Sequence, residues 1–560
     1  MESAIIIAAV LVALFVCFIL KEYFDSRRIN KMRLEKAKSS YGKRSDRKYS
    51  DDELARIKTL TLRLSDPDTV DDITANDIDF DRLYTVYNRS LSSCGDEYFY
   101  YRLRTPVYDK SVLSDLEKKV SLLQSSESER NLLLAEFIKI GSMRNVNFFD
   151  CIDLCMELQA GNLLLQCVPL ILFILGILAM IFFGGIGIAF FVSVIAFDII
   201  TYYKARGNID IYFTCFKYIV NLLNTAKSVV KLKSGVIEDE QKELSESLSN
   251  LSGFMKISSY VTGKSTATTG AGNPLDVLMD YLKMVLHIDI IGFNLMLNSF
   301  QAGKDNIERV YITLGKAESY ISIASMRECL PVWCVPAERS GLEAVNVYHP
   351  LIDEPVKNSI SASNKGVLIT GSNASGKSTF LKTVLINAIF SKSIHTCAAD
   401  SFACDDYRIY SSMSLRDDLL SHDSYFMVEI KALKRILDRA GDEDKRPVLC
   451  FLDEVLRGTN TIERISACTV ILKTLREAGV MCFAATHDLE LTNLLSDHYD
   501  NYHFEETVTD NDITFNYRLN PGPGVTRNAI KLLGLMGFDN KIIDNANELA
   551  RHFEETGRWR

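Results

Sequence analysis

The sequence predicts an α/β P-loop domain that follows an all-α core and lever region, with an N-terminal transmembrane helix and an internal transmembrane hairpin. Three observations carry that prediction. An apolar run at 367–370 enters a GxxxxGKS loop and then an amphipathic stretch starting near Phe380. Two more apolar runs, 448–452 and 480–485, end in polar residues, as strands buried on both faces of a parallel sheet do. Two segments, 4–20 and 163–203, carry almost no charge over lengths that suit a bilayer.

Composition sets the outer bounds. A chain of 560 residues with 47% hydrophobic content has room for three or more domains and an ample core. Its formal charge of −9 excludes a wholly basic nucleic-acid binder; a DNA reader would need a local Lys/Arg stripe, and the folded regions offer no compelling one. The 13 cysteines show no CxxC pair or metal-ligand rhythm, and Cys450 and Cys482 sit in apolar runs, which points to buried thiols in a reducing compartment.

In chain order, 1–22 is expected to be an uncleaved anchor. Glu2 precedes the apolar run, and Lys21, Arg27, Arg28, Lys31 and Arg33 follow it, so the positive-inside rule keeps the bulk of the chain in the cytoplasm. A signal peptide is the alternative for this run. Residues 23–78 read as a basic, polar tether, suited to anionic lipid or, alternatively, to nucleic acid. A helical core and lever is expected over 79–345, with apolar residues at helical spacing over 209–234 and 274–327. It is interrupted at 163–203 by a segment whose only charge is Asp198 and which Gly184-Gly185 break into two spans. The other reading of that segment is a buried pair of soluble helices. The expected topology is multi-pass, with about three spans and a cytoplasmic α/β domain at 346–520. A C-terminal helical element completes the chain at 521–560.

The loop chemistry follows from residue types. Gly371 and Gly376 let the backbone turn so that successive N–H groups face phosphate oxygens, with a helix N-terminus behind them. Ser372, Asn373, Ala374, Ser375 and Thr379 complete the cradle. Lys377 supplies a point charge for the outer phosphates of ATP, and the Ser378 hydroxyl suits a Mg2+ ligand. The alternative is an ordinary Gly/Ser turn. At the end of 448–452, Asp453 is expected to hold Mg2+ through water, and Glu454 to polarise the water that attacks the γ-phosphate. After 480–485, His487 is the expected γ-phosphate sensor. Histidines 395, 422, 498 and 503 read as structural or surface residues.

These motifs resemble the ATPase domain of the MutS family, within the wider ABC ATPase class. Thr370-Gly-Ser-Asn-Ala-Ser-Gly-Lys-Ser-Thr379 is similar to the family's TGPNxxGKST loop, with Ser372 where proline is usual. Ser424-Tyr-Phe-Met-Val-Glu-Ile430 resembles STFMVEM, Phe451-Leu-Asp-Glu-Val-Leu-Arg-Gly-Thr459 resembles LLDExGRGT, and Ala485-Thr-His-Asp-Leu-Glu-Leu491 resembles ATHxxEL. The resemblance implies a homodimer with a composite site, in which Ser424 of one copy meets the P-loop of the other. It further implies that Asn373 positions nucleotide and attacking water, that Arg457-Gly458-Thr459 line the dimer contact, and that Val356 flanks the adenine. Residues 521–560 are similar to the family's dimerising C-terminal element, or form a plain helical hairpin. Residues 83–107 resemble the start of the family's helical core, and 314–325 the return of its lever.

Two departures bear on function. The sequence given is expected to lack the family's mismatch-reading and connector domains, which would precede residue 80, and 235–273 is short for a DNA clamp. The expected protein is therefore a membrane-anchored, dimeric ATPase in which ATP closes two domains and moves the levers, acting on DNA or at the membrane. One alternative is a DNA-binding repair protein merely tethered to the membrane. Another is an ABC-type ATPase serving a membrane partner without DNA, against which stands Ser424-Tyr-Phe-Met in place of an LSGGQ-type signature.

Overall fold

A computed structural model describes residues 28–559, apart from 30, 144–145, 160–166, 207–209, 262–286, 373–374, 414–424, 443, 445, 457–458, 509–512, 525–529, 531–532 and 534–535. The expected anchor at 1–22 lies outside the described residues, as do Asn373, Ala374, Ser424, Arg457 and Gly458. The described chain forms two compact units. One comprises Tyr87–Tyr101, Lys118–Glu328 and the described part of Met1–Ser65; the other comprises Asp66–Val86, Arg102–Glu117 and Cys329–Arg560.

Helices run as α1 (Asp51–Leu64), α2 (Asp72–Asp77), α3 (Phe80–Tyr87), α4 (Ser93–Arg104), α5 (Lys110–Ser125) and α6 (Glu127–Phe137). They continue as α7 (Phe148–Glu157), α8 (Val168–Arg206), α9 (Asp210–Val230), α10 (Glu238–Asn250), α11 (Ser252–Val261) and α12 (Ile288–Cys329) before the strands begin. Helix α1 falls where a tether was expected. Its start is a capping box: Ser50 Oγ accepts from Glu53 N at 3.2 Å, and the Glu53 carboxylate accepts from Ser50 N at 3.0 Å. Helix α12 is continuous from residue 288, and its 42 residues span about 60 Å. Phe293, Leu297, Phe300, Ile307, Tyr311 and Leu314 form its buried stripe at helical spacing. From α9, the Phe216 ring packs edge-on against Phe293 and Phe300, at 5.4 and 5.5 Å between centroids.

Among the described residues, one helix, Val168–Lys204, is long and apolar enough to cross a membrane. Gly184, at φ 56° and ψ −124°, divides it into two halves. The halves fold back on each other, because Phe173 and Phe191 pack with ring centroids 5.5 Å apart although 18 positions separate them. Gly187 is required for that approach, since a Cβ there would run into the backbone of Ala179 and Met180. The turn sits where Gly184-Gly185 predicted one.

Cysteine pairing departs in part from expectation. Cys94, Cys155, Cys450 and Cys482 are free and buried, but Cys151 of α7 and Cys215 of α9 form a disulfide with Cα atoms 6.0 Å apart. Nothing local marks that pair, since its partners stand 64 positions apart and meet only through helix packing.

Two buried acids shape the helical unit. Glu240 accepts both Lys119 Nζ contacts, at 3.0 and 3.1 Å, and the Tyr320 hydroxyl at 2.7 Å. Glu318 accepts from Leu91 N at 2.5 Å and from the Ser92 hydroxyl, and burial pushes its carboxyl up to about 7. An acid that holds its proton more tightly when folded contributes stability that is complete below its ordinary range and fades as pH rises through about 7. Glu318→Gln should remove that fading. Between about pH 5 and about pH 8, denaturant unfolding of the full chain should show the wild type losing up to about 3 kcal/mol relative to the variant. Parallel pH profiles would contradict the assignment.

The second unit is built on two sheets. Strands β1 (Leu342–Val347), β2 (Asn358–Ala362) and β4 (Ser401–Cys404) form an antiparallel sheet in the order β2-β1-β4. Strands β3 (Gly366–Thr370), β5 (Arg408–Ser412), β6 (Val448–Asp453), β7 (Met481–Thr486), β8 (Tyr499–Val508) and β9 (Ile513–Pro521) form the larger sheet, ordered β5-β6-β7-β3-β8-β9. All its neighbours are parallel except β8 and β9. Helices α13 (Lys377–Ser393), α14 (Tyr425–Ala440), α15 (Thr461–Glu477), α16 (Glu490–Leu494) and α17 (Asn540–Thr556) complete it. The predicted runs in β3 and β7 are buried at every position, and β6 is buried up to its terminal Asp453.

This unit also recruits residues that precede residue 120, which sequence reading had assigned to the tether and helical core. The reason lies at edge strand β5. Ser411 donates its N–H to Thr74 Oγ1 at 3.0 Å and its hydroxyl to Asp77 Oδ2 at 2.6 Å, and Met413 N donates to the same carboxylate at 2.9 Å. Helix α2 thus covers a sheet edge that would otherwise expose unpaired backbone groups.

Candidate nucleotide site

Register brings three strand ends to one place. Thr370 of β3 pairs with Thr486 of β7, and Asp453 of β6 pairs with Ala485 of the same strand. The residues that follow, Gly371, Glu454 and His487, therefore leave the sheet at one edge. That edge is also where the strand order turns back on itself, with β3 between β7 and β8. Ligand groups collect at the carboxyl ends of strands at such a point.

The loop after β3 needs its glycines. Gly371 has φ 145° and Gly376 φ 106°, conformations that a side chain opposes. Gly376 then caps α13, whose first residue is Lys377. The buried Lys377 ammonium donates to the carbonyls of Gly371 at 2.6 Å and Ser372 at 2.8 Å, which holds its charge at the loop. Ser375 Oγ donates to Ser372 O at 2.7 Å, and Ser372 Oγ donates to Glu506 of β8 at 3.0 Å. Ser378 is half-buried in the first turn of α13, and Thr379 is exposed beside it.

On the neighbouring strands, Glu454 is buried and its N–H donates to Ala485 O at 2.9 Å. Its backbone is left-handed, with φ 54°, and so is that of Leu456, with φ 61°. Non-glycine residues held this way cost of order 1–2 kcal/mol each, and such strain concentrates at functional sites. Leu456 N donates to the buried carboxylate of Glu429 from α14, which fixes the loop. His487 is exposed, with Nδ1 3.8 Å from Glu454 Oε1. The next residue, Asp488, is locked by Arg464 at 2.7 and 2.9 Å.

Sequence reading missed several contributors. Glu429 lies inside a quoted motif, but its role emerges only from its bond to the Leu456 loop. Glu506 and Tyr517 come from β8 and β9, far along the chain. Tyr517 has φ 53°, is half-exposed, and lies so near Gly376 that a Cβ there would meet its ring at 3.1 Å. The segment holding Val356 reaches the same place. Asn358 Nδ2 donates to Tyr517 O at 3.0 Å, and its Oδ1 accepts from Leu519 N at 2.8 Å. Val356, two positions earlier, is exposed. In the sequence, Tyr517 is one of two aromatic residues, with Phe515, in a strand of mixed polarity.

Two of the remaining histidines, His503 and His395, make structural contacts. His503 bonds Gly522 O at 2.9 Å and Glu505 at 2.8 Å, and His395 bonds Glu117 at 3.3 Å.

Comparisons with known proteins agree on the region. Residues 367–554 match the family MutS domain V. The chain is 30% identical over 240 residues to the DNA mismatch repair protein MutS of Lactobacillus acidophilus, an alignment covering 40% of this chain and 28% of that protein. It is 26% identical over 319 residues to MutS of Lactobacillus helveticus, covering 53% of this chain and 36% of that one. A mitochondrial DNA mismatch repair protein mutS homolog of Sarcophyton glaucum is 27% identical over 248 residues, 43% of this chain and 25% of its own length. The chain thus spans about a quarter to a third of the length of these relatives. The C-terminal α/β domain of the chain, over residues 367–554, is thus similar to MutS domain V.

Proposed function

We propose that the chain is a membrane-anchored ATPase that binds and hydrolyses ATP at the edge formed by β3, β6 and β7, in a homodimer. The convergence of Lys377, Glu454 and His487 at those strand ends carries this reading. The loop N–H groups and Lys377 hold the phosphates, and Asn373 helps to place the nucleotide. Glu454, buried and fixed by its own backbone bond, takes the proton of the attacking water, with the His487 ring beside it. Ser378 and Asp453 would hold Mg2+. A hydroxyl and a carboxylate suit this ion, which takes few protein ligands beside phosphate and water, and it would supply charge neutralisation between the phosphates. Tyr517 and Val356 flank the adenine, and Ser424 of the second copy closes the site.

Tyr517→Ala tests the placement of the nucleotide. Loss of one base-stacking face should weaken ATP binding by about 1–3 kcal/mol, while the hydrolysis rate at saturation is retained. Equilibrium binding and phosphate release on the full chain measure both, and unchanged affinity would place the base elsewhere.

The apolar α8 spans the membrane twice, turning at Gly184, and with the segment at 4–20 gives about three spans and a cytoplasmic ATPase domain. The motion driven by ATP then passes to the long helix α12. DNA handling is a second reading, favoured by the names of the relatives. It requires salt-sensitive affinity of the full chain for duplex, mismatched or branched DNA, and the lack of any such affinity would remove it.

A further inference from the structure

A cleft of about 1340 Å³ opens in the helical unit, between the basic segment before α1 and the helices that segment packs on. Six cationic residues line it: Arg33, Lys36, Lys43, Arg44, Arg89 and Lys217. A seventh, Arg47, is held by Asp96 at 3.2 Å, and Asp46 is the one acidic lining residue among those described. The inner wall is apolar, from Leu91, Ile138, Ile140, Met143 and Val146.

This wall of charge is built rather than loose. Gly42, with φ 71°, donates its N–H to Ser325 Oγ of α12 at 2.9 Å. Arg89 Nε donates to Lys43 O at 3.0 Å, and the Arg130 guanidinium covers the Tyr41 ring at 4.2 Å. The segment expected to be a flexible tether is therefore docked, with Lys36, Lys43 and Lys217 exposed at the opening.

Cations around an apolar wall match an amphiphile that carries phosphate. We infer that the cleft binds the headgroup of an anionic phospholipid, with the start of its acyl chains on the apolar wall. Free phosphate or a nucleic-acid backbone would use the cations and leave that wall wet. The cleft also lies close to the apolar helix in the chain: Lys217 follows Asp210, the start of α9, by seven residues, about 10 Å along the helix. The inference rests on the membrane reading of α8 for the ligand's source.

The test titrates the full chain in mild detergent with phosphatidylglycerol and with phosphatidylcholine, each followed by native mass spectrometry. Phosphatidylglycerol should bind saturably and in preference, and Lys43→Gln with Lys217→Gln should weaken it about thirtyfold, at roughly 1 kcal/mol for each cation. Glycerol 3-phosphate and duplex DNA, added as competitors, should displace it poorly. Equal binding of the two lipids, an unaffected double variant, or displacement by either competitor at the lipid's own concentration would overturn the inference. Carbonate extraction of native membranes judges the membrane reading separately: release of the chain removes that reading, while the detergent titration decides the cleft.

Discussion

Glu454→Gln is expected to lower ATP turnover by about 10²–10⁴-fold while ATP stays bound. The substitution keeps the size and shape of the side chain and removes only its capacity to take a proton. Structure makes that a clean experiment. Glu454 is buried and set in a left-handed backbone, its N–H is tied to Ala485 O at 2.9 Å, and the Glu429 carboxylate holds the next turn through Leu456 N. None of those constraints uses the Glu454 carboxylate. Phosphate release and ATP binding, both on the full chain, should therefore separate, and trapped ATP should favour the closed dimer. Hydrolysis at the wild-type rate would show that another group activates the water.

Glu240→Leu should cost about 3–5 kcal/mol of stability, because it takes from buried Lys119 its nearest and only buried carboxylate among the described contacts and leaves the exposed Asp239 at 3.7 Å. The Lys119 and Glu240 side chains are nearly inaccessible, at 7% and 0% exposure, so solvent cannot take over the lost interaction. Lys316 Nζ, 3.2 Å from the same carboxylate, and the Tyr320 hydroxyl would lose their partner too. Pairing the change with Lys119→Met should recover most of the loss, since an apolar pair of similar volume carries no desolvation cost. Denaturant unfolding in detergent measures both variants. A single variant within about 1 kcal/mol of wild type would mean that water reaches the site.

The candidate nucleotide edge was largely legible in the sequence because its parts are local. A strand buried on both faces shows itself as an unbroken apolar run, and β3, β6 and β7 each lead into the candidate site residues. Gly371 and Gly376 were legible for a similar reason, since only glycine adopts their φ angles without strain. What escaped notice depends on register and packing. Tyr517 reaches Gly376 only because β9 pairs back on β8, and Glu506 reaches Ser372 only because β8 lies beside β3. The helix over 51–64 was within reach, given Ser50 and Glu53 at capping-box spacing, but a run of charge obscured it. The hairpin turn was read from two glycines, while the Cys151–Cys215 pair and the cover that α2 gives β5 have no local signature.

Ser424 decides whether the site is shared between two copies. An equimolar mixture of Ser424→Ala and Glu454→Gln chains, each inactive alone, should recover ATP hydrolysis once subunits exchange. A mixed dimer joins the intact loop and Glu454 of the first chain to the intact Ser424 of the second. Phosphate release that stays at the level of the two parents would contradict a composite site and place the chemistry within a single chain.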